Sequence, residues 1–249
     1  IEEMEKQLLS ACWDGRIEEV QTLLQNPDLN INCRDNDNLE YQRSPLDFAC
    51  KYGHIEVVKL LLSDKRIDVN QANNYDATPF YVACYNGHTE IVKLLLNDGR
   101  VQLNVPNMYG TTPFCVACHF GHIEIVKLLL NDESIDINKQ DEEDETPFFV
   151  ACQNGYIEIV EYMLASGRDV NLTAKDVHGQ TAIDIAREQG NIESSEWGFH
   201  SEEDVKKVKE NCPKIVQLIE LFERNPNETR YNLRIQLGLS SNFIFFILL

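Results

Sequence analysis

Apolar residues recur along this chain in blocks of one shape. Residues 45–62 read PLDFACKYGHIEVVKLLL, 79–96 PFYVACYNGHTEIVKLLL, 113–130 PFCVACHFGHIEIVKLLL and 147–164 PFFVACQNGYIEIVEYML. Residues 9–24, LSACWDGRIEEVQTLL, repeat the line more loosely. Each block opens on a short apolar run around an Ala-Cys pair, breaks at a glycine, and resumes at helical spacing. Thr78-Pro79 predicts a helix start, with a hydroxyl at the cap and proline where its missing N–H costs nothing. Gly87 predicts its end. Ile91, Val92, Leu94, Leu95 and Leu96 then give the next helix a broad apolar face. Asp98-Gly99 turns the chain, and Val101–Asn104 is expected to run extended to the next start. The elements predicted are helix, turn, helix and protruding loop.

The Ala-Cys pairs set the period. Ala11, Ala49, Ala83, Ala117 and Ala151 step by 38, 34, 34 and 34 residues. A fixed period in the thirties predicts an all-α solenoid of helical hairpins, each burying its apolar face against its neighbours. A sixth unit begins at Thr181 and is interrupted by the polar residues 192–211, expected to be a loop or a short helix. Pro213-KIVQLIELFE supplies its postponed second helix. Such an atypical unit fits a capping role. One array over residues 1–224 follows, with units at about 6–38, 39–72, 73–106, 107–140, 141–175 and 176–224. Residues 225–249 form a C-terminal tail whose apolar end, with the opening Ile1 in place of Met, suggests a piece cut from a longer polypeptide.

The pattern Thr-Pro-Phe-x-x-Ala-x-x-x-Gly-His-x-x-Ile-Val-x-x-Leu-Leu resembles the ankyrin repeat, over residues 6 to 224. Three departures stand out. Phe80, Phe114 and Phe148 replace the family's usual Leu, and its Ala-Ala pair is Ala-Cys here. The loop glycine, kept at Gly110 and Gly179, becomes Asp76 and Asp144, which tolerate positive φ less well. The resemblance implies an ankyrin-repeat solenoid of about six hairpins, slightly curved, with loop tips and first helices on the concave side. It also implies a protein–protein interaction module.

Charge narrows the partners. The chain carries 41 acidic against 22 basic residues, a net charge of −19. That argues against nucleic acid or an anionic membrane surface and favours a protein partner with a basic segment. The seven apolar residues Phe243–Leu249 fall far short of the ~20 that span a bilayer.

Cys12, Cys50, Cys84, Cys118 and Cys152 hold one position in five units. Equivalent sites in stacked helices lie about 10 Å apart, beyond disulfide reach. These cysteines are read as small buried hydrophobes in a reducing compartment, hence cytoplasm or nucleus. Cys115-Val-Ala-Cys118 lacks the partners a zinc or redox site needs. His54, His88 and His122, each after a glycine, read as turn residues tying adjacent loops together. No nucleophile elbow, phosphate loop or metalloprotease signature occurs, and Asp184 and Glu188 alone make no acid–base pair. No enzyme and no cofactor are expected.

Binding is then expected where the repeat needs no particular residue. The column just before each glycine contains Trp13, Tyr52, Tyr85 and Phe120, large aromatics of the kind that dominate interfaces. The rival reading is packing between neighbouring units. The loop-tip column contains Tyr75 and Tyr109, then the acidic run Asp141-Glu142-Glu143-Asp144-Glu145. Glu142, Glu143 and Glu145 would steer a basic segment toward the array. An alternative makes the array the targeting or regulatory arm of a larger enzyme or channel. Neither reading sets a partner's identity or an oligomeric state.

Overall fold

The helix starts form as their local chemistry dictates. The hydroxyls of Ser44, Thr78 and Thr146 accept from the N–H groups of Asp47, Tyr81 and Phe149, with proline as the first helical residue each time. In the computed structural model, which describes residues 2–37, 40–191 and 201–239, these starts and their partners give 13 helices. They are α1 (Glu2–Asp14), α2 (Ile17–Leu24), α3 (Pro45–Tyr52), α4 (Ile55–Ser63), α5 (Pro79–Tyr85), α6 (Thr89–Leu96), α7 (Pro113–His119) and α8 (Ile123–Leu130). There follow α9 (Pro147–Gln153), α10 (Ile157–Ala165), α11 (Ala182–Asn191), α12 (Glu202–Arg224) and α13 (Pro226–Gln236). No strand forms among the described residues, only an isolated bridge between Lys175 and Thr181.

The chain divides into two compact units, residues 1–117 and 118–249. In the first, α1, α3 and α5 pack in succession and α2, α4 and α6 form a second row. In the second, α8, α10 and α13 pack in order, while α9 meets α11 and α11 meets α12. The cores are the predicted ones. Every Ala-Cys pair has zero exposure, and Phe80, Phe114 and Phe148 are buried to within 1%. In α6, Ile91, Val92 and Leu95 are fully buried, whereas Leu94 and Leu96 are half-exposed, so the apolar face is narrower than the run of leucines suggests.

Three side-chain devices join successive hairpins. First, the turn glycines Gly15, Gly53 and Gly121 have positive φ and each accommodates an aromatic ring from the next hairpin. His54 Nε2 lies 2.8 Å from the Trp13 carbonyl oxygen and His88 Nε2 lies 2.9 Å from that of Lys51. Of the three histidines expected to tie neighbouring hairpins, His54 and His88 do so through these contacts. Second, Arg66 donates to the carbonyls of Leu24, Asn26 and Pro27, each at 3.0 Å, satisfying the exposed end of α2. Asp64 holds the Arg66 guanidinium, and Arg100 and Asp98 repeat the pair below Leu62. Arg168 does the same for Asp132 and Ile135. Third, Asn32 and Asn70 each bridge two backbone groups of the following loop, as Asn138 does in the second unit.

Asp76 and Asp144 adopt φ of 55° and 58°, close to the 75° and 80° of Gly110 and Gly179. The loop therefore keeps its left-handed residue where glycine is lost.

At the C-terminal end, residues 202–211 are neither loop nor short helix but the first half of α12. Its cap is Ser201, and Glu202, Glu203 and Asp204 suit the positive end of the helix dipole. Pro213 lies inside α12. Asn211 donates to the Gly155 carbonyl at 3.0 Å, and Val208 Cα lies 2.9 Å from where a Cβ on Gly155 would stand. Val208 thus fills the place that a ring takes over the earlier glycines. Residues 226–236 of the expected tail form α13, whose Arg230 and Arg234 donate to the carbonyls of Leu164 and Ala165. Trp197, His200 and the apolar run 243–249 lie outside the described residues.

Candidate interaction surface

Burial runs through the first helices as far as the Ala-Cys pair, and the exposed aromatics follow that pair. Trp13, Tyr85 and Phe120 expose 46%, 45% and 42% of their surfaces. Tyr52 is half-buried. In the first unit the Trp13 ring centroid lies 5.1 Å from Phe48 and 5.0 Å from Tyr52. Lys51 Nζ stands 5.1 Å above the Tyr52 ring. Trp13 and Tyr52 therefore do pack across neighbouring hairpins, as the rival reading requires, and still leave half of the indole in water. Tyr85 lies 6.4 Å from Tyr81. In the second unit Phe120 meets His119 edge-on at 4.8 Å and His122 at 6.3 Å. Phe120, Tyr156, Glu158, Lys207 and Val208 line an open cleft of about 400 Å³, to which the extension of α12 contributes Asp204, Lys207, Val208 and Asn211.

The loop tips of the first unit bring tyrosines together. Tyr41 and Tyr75 lie 5.0 Å apart, and Tyr109 is 52% exposed. The tips are laddered through the backbone, Asn74 N–H to the Tyr41 carbonyl at 2.9 Å and Met108 N–H to that of Tyr75 at 2.8 Å. The Tyr75 hydroxyl donates to Glu40 at 2.9 Å, and that bond pushes its pKa up to about 12. Tyr41 escaped the sequence reading. It precedes Tyr75 by the same 34 residues that separate Tyr75 from Tyr109, but the irregular 38-residue first step obscured it. Arg43 lies 4.5 Å over the Tyr41 ring and bonds buried Asp47 at 2.5 Å, with Asn73 on the other carboxylate oxygen at 2.8 Å.

The acidic tip is a built turn. Asp141 Oδ1 accepts the N–H groups of Glu143 and Glu145, both at 3.0 Å, so this carboxylate is committed to holding the loop. Glu142 and Glu143 point to solvent, whereas Glu145 is half-buried. Burial, then the charges of Asp141, Glu143 and Asp176, push Glu145 up to about 7. At neutral pH the tip therefore carries less charge than its five carboxyls suggest.

The cysteines offer no chemistry to this surface. All eight are buried and outside any disulfide, and burial raises the thiol pKa of Cys12, Cys50, Cys84 and Cys152, with Cys33 pushed up to about 12. Among the described residues no group of three His, Cys, Asp or Glu could hold a metal ion, and no helix is long and apolar enough to cross a membrane.

Comparison with known proteins matches this architecture. Models of ankyrin repeats match residues 8–62, 65–141 and 128–186. The crystal structure of an ankyrin repeat protein aligns at 27% identity with a TM-score of 0.67, covering 83% of this chain and 97% of that one. An ankyrin repeat domain from Acinetobacter baumannii AYE, at 23% identity and a TM-score of 0.65, shares the fold over 84% of this chain and 96% of its own. Among curated proteins no relative matches. The period, the hairpins and these matches together place the chain in the ankyrin-repeat family, whose members are generally protein–protein interaction modules.

Proposed function

We propose that the chain binds a protein partner through the exposed aromatics that close its first helices and through its loop tips. Trp13, Tyr52, Tyr85 and Phe120 form the aromatic contacts, Tyr75 and Tyr109 the tip contacts. Glu142, Glu143 and Glu145 attract a basic stretch of the partner and raise its association rate. The observation that carries the reading is the exposure of Trp13, Tyr85 and Phe120, three large rings at or just past the ends of first helices, each more than two-fifths exposed. Rigid aromatics supply contact area at little entropic cost, which is why they dominate binding energy. The eight buried thiols fit a reducing compartment.

Photo-crosslinking tests the reading. A benzophenone amino acid placed at Tyr85 or Phe120 is expected to join the partner covalently in cell extract, while the same group at Lys59, on a second helix, does not. Equal yields from all three positions would contradict it.

A further inference from the structure

The first unit contains a second feature that the repeat does not demand, a groove of about 480 Å³ between one face of α1 and the loop 34–37. Its floor is apolar and aromatic, formed by Leu9, Trp13 and Phe48. Its walls are acidic on both sides. Glu2 and Glu5, three residues apart, and Asp14 come from α1, and Asp35 and Asp37 come from the loop. Two basic groups line the same groove. Arg34 is committed to the fold, its guanidinium donating to the carbonyls of Gln42 at 3.2 Å and Ala72 at 2.8 Å. Lys6 is exposed and lies 3.7 Å from Glu2. Asp14 is taken up by Arg16, and Asp35 accepts the Asp37 N–H at 3.1 Å. The balance that remains facing solvent is negative, over an indole nearly half exposed.

That combination selects a cation with a long aliphatic stem. A guanidinium or ammonium over an indole face gains cation–π attraction, most when carboxylates desolvate it from the sides. Its methylenes cover the apolar floor while the head stays with the acids. A nucleic acid or an anionic membrane would meet the same carboxylates as repulsion. We propose that this groove, and not the acidic 141–145 tip, is where an arginine or lysine side chain of a basic partner segment docks, with Trp13 beneath it and Glu5 and Asp37 beside it. The proposal rests on the protein-binding reading above and names the partner's chemistry.

The test uses the whole chain and a fluorescent nine-residue peptide alternating glycine with arginine and lysine, with a glutamate-for-cation counterpart as control. Anisotropy gives the affinity, and the Trp13 indole N–H resonance, assigned with Trp13→Phe, reports the place. Binding of the basic peptide only, a shift of that resonance, and about tenfold weaker binding in Glu5→Gln/Asp37→Asn are expected, while Glu142→Gln/Glu143→Gln changes affinity less than about twofold. Both pairs are surface changes, checked for unaltered helicity. Weakening by the tip pair alone, or binding that leaves the indole resonance in place, would overturn the groove and keep the tip. A wild-type chain that ignores the peptide would overturn the groove too, without touching the crosslinking result at Tyr85 and Phe120.

Discussion

His88 reaches back one hairpin to place Nε2 2.9 Å from the carbonyl oxygen of Lys51, and Gly53 lies beneath its ring. A Cβ on Gly53 would stand 2.8 Å from His88 Cε1, and the glycine's φ is +77°. Gly53→Ala therefore strains the backbone and displaces the ring together. We expect a loss of about 1–3 kcal/mol in urea unfolding. Gly99→Ala, with nothing within 4 Å of the added carbon, should change stability by less than about 0.5 kcal/mol.

The Arg66 guanidinium joins Asp64 to the carbonyls of Leu24, Asn26, Pro27 and Leu29 at the end of the preceding hairpin. Arg66→Ala leaves those acceptors to water and should cost about 1–2 kcal/mol by the urea midpoint. Arg66→Lys should recover less than half of that, because a point charge cannot span the same acceptors.

Asp47 is fully buried, with Arg43 on one oxygen and Asn73 on the other. Burial pushes its carboxyl pKa up and the Arg43 charge pulls it back. Asp47→Ala strands a guanidinium that is only 9% exposed and should cost about 3 kcal/mol by chemical denaturation. The equivalent position in the next repeat is Tyr81, so Asp47→Ala/Arg43→Leu, which removes both charges, should be markedly less damaging.

Glu145 predicts a pH dependence of stability. Its carboxyl moves from 4.5 to about 7 on folding. The folded chain thus binds more protons than the unfolded one between those values, and stability falls as pH rises across that window. Glu145→Gln should flatten the slope and stabilise the fold by about 1 kcal/mol at pH 8, read from thermal midpoints at pH 5 and 8.

How much of this was legible varies with how periodic it is. The hairpins, the Ala-Cys core and the histidine ties recur every 34 residues, so one block predicts the rest. Arg66, Arg100 and Arg168 obey the same period, with Ser134 in the missing place, yet they escaped notice because a charged turn residue looks like ordinary solvated surface. The groove beside Trp13 was not legible, since it depends on where loop 34–37 stands against α1. Nor was the length of α12, because Glu202–Asn211 is polar on three sides and only Val205 and Val208 meet the core. Among the site residues, the aromatics were readable as exposed and Tyr52 as partly structural, but the protonation of Glu145 needs the neighbours that folding brings.

The central claim, that the exposed aromatics serve a partner and not the fold, is tested most directly by quantitative affinity capture from cell extract. The chain is compared with its Tyr85→Ala/Phe120→Ala variant at matched unfolding midpoints. The account predicts at least one protein enriched by the unaltered chain and reduced about tenfold or more by the variant. An identical captured set, or a variant that unfolds before it can be compared, would contradict it.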